Sequence, residues 1–98
     1  MSGSTRSSAD LDVRRRRILY RSWHRGTREM DLLMGQFVDA EIAALTDAEL
    51  DELELLIEVP DRDLFSWLTG TVDAPSNYDT ALFRRLQSFH THSGPVHA

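Results

Sequence analysis

The sequence predicts an all-α protein, a small five-helix bundle with a disordered N-terminal tail, and three observations carry that prediction. Apolar residues recur at i, i+3 and i+4 through most of the chain, the spacing that places them on one face of a helix. Capping residues, glycines and prolines interrupt the recurrence at intervals suited to short helices. No stretch alternates apolar and polar residues as a half-buried strand would.

Residues 1–12, MSGSTRSSADLD, are rich in Ser and Gly with a single leucine, the composition of a disordered tail. Serines beside arginines also suit a transit peptide, but Asp10 and Asp12 count against that reading. A single helical domain is expected over 13–92. Its first helix runs from about Val13 to His24, with Ile18, Leu19, Ser22 and Trp23 on the inner face, and Gly26 stops it. A second helix opens near Thr27 or Arg28 and continues to about Glu41 on a stripe of Met30, Leu33, Met34, Phe37 and Val38. Glu29 and Asp31 occupy its first turn, where the helix dipole favours anions.

Thr46-Asp47-Ala48-Glu49 is a capping box, so a third helix starts there and buries Leu50, Leu53, Leu56 and Ile57. Val59-Pro60 ends it, because a residue before proline is pushed out of helical geometry. Asp61 is the expected cap of a short fourth helix, Leu64 to Leu68, which carries Phe65 and Trp67 and stops at Gly70. After a loop to Pro75, Ser76 and Asp79 form the expected cap of a last helix lined by Tyr78, Leu82, Leu86 and Phe89. Arg84 and Arg85 are expected near its C-terminal half. Residues 93–98 contain Gly94-Pro95 and are expected to form a flexible C-terminus.

Composition narrows the function classes. At 98 residues the chain can bury about 60–65% of its unfolded surface in one domain, with no room for a separate catalytic one. The absence of cysteine excludes disulfides, thiolate nucleophiles and sulfur-ligated metals. Apolar stretches fall well short of the ~18 residues that cross a bilayer, and no signal peptide is expected, so no membrane insertion is expected and the compartment should be cytoplasmic or equivalent. The net charge of −5 is unevenly spread: residues 1–28 hold eight arginines against two aspartates, and residues 29–98 hold three arginines against fourteen acids. Such a molecule has a built-in orientation toward a charged partner.

The run Arg14-Arg15-Arg16-Arg17 has two readings. It is a phosphate-binding or acidic-partner patch, or it is the solvated face of the first helix. No aromatic interleaves the run to stack on bases, and the acidic body opposes a long polyanion, which leaves a nucleic-acid-binding or regulatory module as the alternative function. His24, His90, His92 and His97 are the only nitrogen ligands, and the spacing of His90 and His92 puts them on different sides of a helix, so no metal site is expected. No serine or threonine stands where a nucleophile would be activated, and there is no phosphate-cradling glycine loop, so no catalytic residue is assigned and the chain is not expected to be an enzyme.

Arg25-Gly26-Thr27-Arg28-Glu29 remains. On one reading Gly26 is a helix-terminating glycine between ordinary surface ions. On the other, the bare glycine lets a partner approach while Arg25, Arg28 and Glu29 supply charge-assisted hydrogen bonds. Spacing alone does not choose between them.

These residues resemble a known family, the succinate dehydrogenase flavinylation factors, in Arg17-Ile18-Leu19-Tyr20-Arg21, in Trp23 through Asp31, and in Asp61-Arg62-Asp63-Leu64-Phe65-Ser66-Trp67-Leu68. The family's Arg-Gly-x-x-Glu motif is matched by Arg25, Gly26 and Glu29, and the likeness covers nearly all of residues 13–90. The resemblance implies a five-helix fold and an assembly factor that promotes covalent attachment of FAD to a histidine of its partner. That partner is the flavoprotein subunit of succinate dehydrogenase or fumarate reductase. It implies that Arg25, Gly26, Glu29, Arg28, His24, Arg17 and Asp31 bind the partner. It further implies that FAD is acted on in the partner and not stably held by this chain. A monomer is expected, in the cytoplasm of a bacterium or the mitochondrial matrix of a eukaryote.

Overall fold

The computed structural model of the chain describes residues 10–92, with side chains through residue 90. Most of the expected tail, the expected C-terminal segment 93–98 and His97 lie outside the described residues. Five α-helices and no strand occur among the described residues, so the all-α prediction holds: α1 (Val13–Trp23), α2 (Arg28–Glu41), α3 (Asp47–Ile57), α4 (Asp61–Leu68) and α5 (Ala81–His92). The chain divides into two compact units, 1–46 and 47–98.

In the first unit, α1 buries Ile18, Leu19, Ser22 and Trp23, the face that i, i+4 spacing selects. Ser22 is fully buried and its hydroxyl donates to the Ile18 carbonyl at 2.8 Å, which satisfies it inside the helix. On α2 the buried face is Met30, Met34, Gly35, Phe37 and Val38. Leu33, expected in that stripe, is only half-buried. The buried sector is rotated toward Gly35 because Trp23 packs there: a Cβ at position 35 would meet the indole, with Cε2 at 2.6 Å.

The magnitudes explain a glycine in mid-helix. A buried indole removes on the order of 200 Å² from water, worth roughly 5 kcal/mol at about 25 cal/mol per Å². Glycine costs a helix only about 1 kcal/mol relative to alanine. The indole N–H is buried without an acceptor among the described residues, so Trp23 contributes as an apolar plate and not as a donor.

Arg15 departs from the solvated face expected of the arginine run. Its Nε donates to the Ile42 carbonyl at 2.9 Å and Nη2 to the Leu45 carbonyl, while Nη1 pairs with Asp12 at 2.9 Å. Residues Ile42–Ala44 form a 3-10 turn that continues α2, so a cation meets the carbonyl-rich end of that helix. The same guanidinium holds the Asp12 carboxyl below its ordinary pKa. Leu11, just before it, is buried.

In the second unit α3 begins directly after Thr46 and buries Leu50, Leu53, Leu56 and Ile57, as expected. The Glu49 carboxylate accepts from Arg85 of α5 at 2.8 Å. α4 begins earlier than expected, at Asp61 itself, with Pro60 at the N-cap. Proline lacks a side-chain acceptor, and Asp61 lies inside the helix at a position where its charge suits the dipole. Gly70, at φ +80°, follows the end of α4.

The last helix differs most from expectation. α5 starts at Ala81, and its cap is Thr80, whose hydroxyl accepts from Phe83 N–H at 3.1 Å. Pro75–Asp79 form a separate turn, in which the amides of Tyr78 and Asp79 donate to the Pro75 carbonyl at 2.9 and 3.0 Å. That turn sets Tyr78 against Trp67 of α4, with ring centroids 5.0 Å apart, and takes it off the α5 stripe. Leu82, Phe83 and Leu86 are the buried residues of α5, and Phe89 is half-buried. Arg84 and Arg85 consequently lie in its first half and bond carboxylates, Arg84 holding Asp79 at 3.0 and 3.2 Å and lowering its pKa.

Gly35→Ala tests the helix contact. Helix propensity alone would stabilise it by about 1 kcal/mol, but a Cβ driven into a buried ring costs typically 1–3 kcal/mol. A net loss of about 1 kcal/mol is expected in urea unfolding; a midpoint at or above wild type would mean that the indole yields freely.

Candidate functional site

Three residues, His24, Arg25 and Gly26, and the cap Thr27 join α1 to α2. His24 caps α1, its amide donating to the Arg21 carbonyl at 3.3 Å. Gly26 takes φ +115°, a region that L side chains rarely adopt, and this lets the chain reverse within so short a span. Thr27 then caps α2 by accepting from Met30 N–H at 3.3 Å.

Asp31 closes the turn. Its Oδ1 accepts from the Arg25 amide at 2.5 Å and from the Gly26 amide at 3.3 Å. Dipole compensation was the role expected from its place in the first turn; the structure adds a second one, in which the carboxylate reaches back to hold two loop amides. Amides shared with a carboxylate are charge-assisted and among the stronger hydrogen bonds. Asp31 is therefore a positioning residue for the loop, half-buried beneath it.

The surface so formed is compact. Gly26, Arg28 and Glu29 are exposed and Arg25 is half-buried. Nothing lies within 4 Å of where a Gly26 Cβ would stand, so that flank of the loop opens to the outside. His24 is exposed, and its Nδ1 lies 2.7 Å from the Tyr20 carbonyl. Six of the seven residues singled out from the sequence, His24, Arg25, Gly26, Arg28, Glu29 and Asp31, thus fall at one turn. Arg17 stands apart, exposed about 10 Å back along α1.

Tyr20 was not singled out from the sequence. It is 64% exposed, and its ring stacks on His24 at 4.0 Å with an interplanar angle of 21°. The i, i+4 spacing of two aromatic rings on one helix was the available signal. No cluster of three or more His, Asp or Glu able to hold a metal ion occurs among the described residues. No helix there is long and apolar enough to cross a membrane.

Fold and site together define a small helical protein that presents a glycine-centred, arginine-rich turn. Comparison with known proteins gives it a family: residues 16–90 match the family described as flavinator of succinate dehydrogenase, and the chain belongs to it. It is 40% identical over 85 residues to the FAD assembly factor SdhE of Acetobacter pasteurianus, covering 87% of this chain and 78% of that protein. Two mitochondrial proteins named succinate dehydrogenase assembly factor 2 are also similar. The Dictyostelium discoideum one is 33% identical over 81% of this chain and the Scheffersomyces stipitis one 34% over 84%. The chain spans only 56% and 58% of their lengths. No solved structure matches it.

The carboxylate hook makes a direct prediction. In Asp31→Ala the Arg25 and Gly26 amides lose their acceptor, and their hydrogen exchange should accelerate by at least ~10-fold. Asp31→Asn keeps an acceptor oxygen and should retain part of the protection. Equal protection in wild type and Asp31→Ala would remove Asp31 from the loop's support.

Proposed function

We propose that this protein is an assembly factor that binds the flavoprotein subunit of succinate dehydrogenase, or of fumarate reductase, and promotes covalent attachment of FAD to a histidine of that subunit. The observation that carries the reading is the Arg25-Gly26-x-x-Glu29 turn, in a chain whose residues 16–90 match the flavinator family. The bond forms in the partner, so no histidine of this chain takes part. FAD is acted on there and is not stably held here. The factor is a non-catalytic chaperone and works as a monomer, in the cytoplasm of a bacterium or the mitochondrial matrix of a eukaryote.

Its physical contribution is orientation. Covalent flavinylation needs the histidine nitrogen and the flavin ring held at reacting distance. Restricting two groups in that way is worth several kcal/mol of barrier in well-oriented systems. Gly26 offers bare backbone to the partner, and Arg25, Arg28, His24 and Glu29 surround it with donors and one carboxylate. Arg17 extends the contact along α1, and Asp31 holds the shape of the turn.

Gly26→Arg is the decisive variant. The positive φ charges any side chain there on the order of 1 kcal/mol, while the open flank leaves the chain itself unobstructed. Helicity should therefore survive. Binding to the purified flavoprotein subunit should be lost, and acid-stable flavin on that subunit should fall to the level seen without the factor. Arg25→Ala and Glu29→Ala should weaken the complex with a change of less than about 1 kcal/mol in unfolding free energy. Normal flavinylation by Gly26→Arg would refute docking through the turn.

A further inference from the structure

The outward face of α1 lies outside the core, and apart from Arg17 and His24 it takes no part in the docking proposed above. Val13, Arg17, Tyr20 and His24 recur at i, i+4, i+7 and i+11, which puts them in one stripe about 16 Å long. All four are exposed, and the two large apolar members are prominently so, Val13 at 60% and Tyr20 at 64%. Arg16 flanks the stripe and is exposed as well. At its lower end the stripe meets the Gly26 turn through His24.

Two properties mark this face as more than solvated surface. From Val13 through Arg28 the chain holds seven arginines and no carboxylate, and Arg15 is turned inward to the Ile42 and Leu45 carbonyls. In the middle of this positive field the Tyr20 ring is held by its stack on His24, so it loses little conformational freedom on being covered. Exposed tyrosine and arginine are the residue types enriched at the centres of protein interfaces. For nucleic acid the arrangement is poor: one face of the tyrosine is occupied by the histidine, and the rest of the chain, residues 29–98, has fourteen acids against three arginines.

We propose that this stripe is a second docking surface, continuous with the turn, and that its occupant is an acidic strip with an apolar residue at its centre on the flavoprotein subunit. The identity of the subunit rests on the assembly-factor reading above. The apolar residue lies against Tyr20 and Val13, and carboxylates pair with Arg16 and Arg17. Exposed charges of this kind act mainly on the rate of encounter and lose their effect with salt. A covered aromatic acts mainly on the rate of departure.

The full chain and purified, FAD-loaded flavoprotein subunit of the same organism provide the test, with association and dissociation followed between 50 and 300 mM salt, over which the Debye length falls from roughly 14 Å to roughly 6 Å. Reversing both Arg16→Glu and Arg17→Glu should slow association ~10-fold or more at the low end, with the difference shrinking as salt rises. Tyr20→Ala should speed dissociation ~10-fold at every salt concentration. Gly26→Arg and a single-stranded DNA 20-mer complete the set. If wild type does not bind the subunit, the assembly-factor reading itself fails. If wild type binds, Gly26→Arg does not, and the stripe variants keep wild-type rates, the stripe proposal alone is overturned. DNA binding as tight as subunit binding at the same salt would also overturn it and assign the face to nucleic acid.

Discussion

The site depends on a missing side chain at position 35. With no Cβ there, the Trp23 indole lies against the α2 backbone, and the last turn of α1 is brought close to the middle of α2. Two helices that approach so closely, with three residues and a cap between them, leave little chain for the turn that joins them. His24, Arg25, Gly26 and Thr27 must accomplish it, and the positive φ of Gly26 is how they do so. Asp31, one turn into α2, then lies within reach of the loop amides and locks the turn. Core packing, helix ending and surface display form one causal sequence, in which the exposed motif is the far consequence of a buried contact.

α1 divides its duties by angle. Its inner side carries Ile18, Leu19, Ser22 and Trp23, with Arg15 bonded to the carbonyls that end α2, and its outer side carries Arg16, Arg17 and Tyr20, the last stacked on the capping His24. The use of arginine suits both sides. A planar guanidinium can serve two carbonyls and a carboxylate at once, as Arg15 does, which a lysine ammonium on a single flexible stem does less well.

Much of the fold was legible because the signals were local. The apolar spacing of α1, α2 and α3 and the Thr46 start of α3 need only a few neighbouring residues to be read. The start of α5 was not legible for the same reason: Ser76, Asp79 and Thr80 are all capable caps, and the choice falls to a contact between Tyr78 and Trp67 that local spacing does not encode. In the arginine run, four identical residues look alike until the helix phase turns Arg15 inward. The Arg25–Glu29 patch was visible as a pattern but ambiguous as chemistry, since a terminating glycine and a docking glycine read the same. The Asp31 hook lay hidden behind a simpler role, because an acid in a first helical turn already has an explanation.

Gly26 has a further consequence for inheritance. Most interface residues can be tuned, because a neighbour in size or polarity lies one substitution away. Gly26 is already the smallest residue in an open, positive-φ position, so every alternative adds volume and narrows the backbone at once. No graded series of weaker alleles is available there. Variation at this codon should be nearly binary in effect, while adjustments of partner strength accumulate at the surrounding arginines.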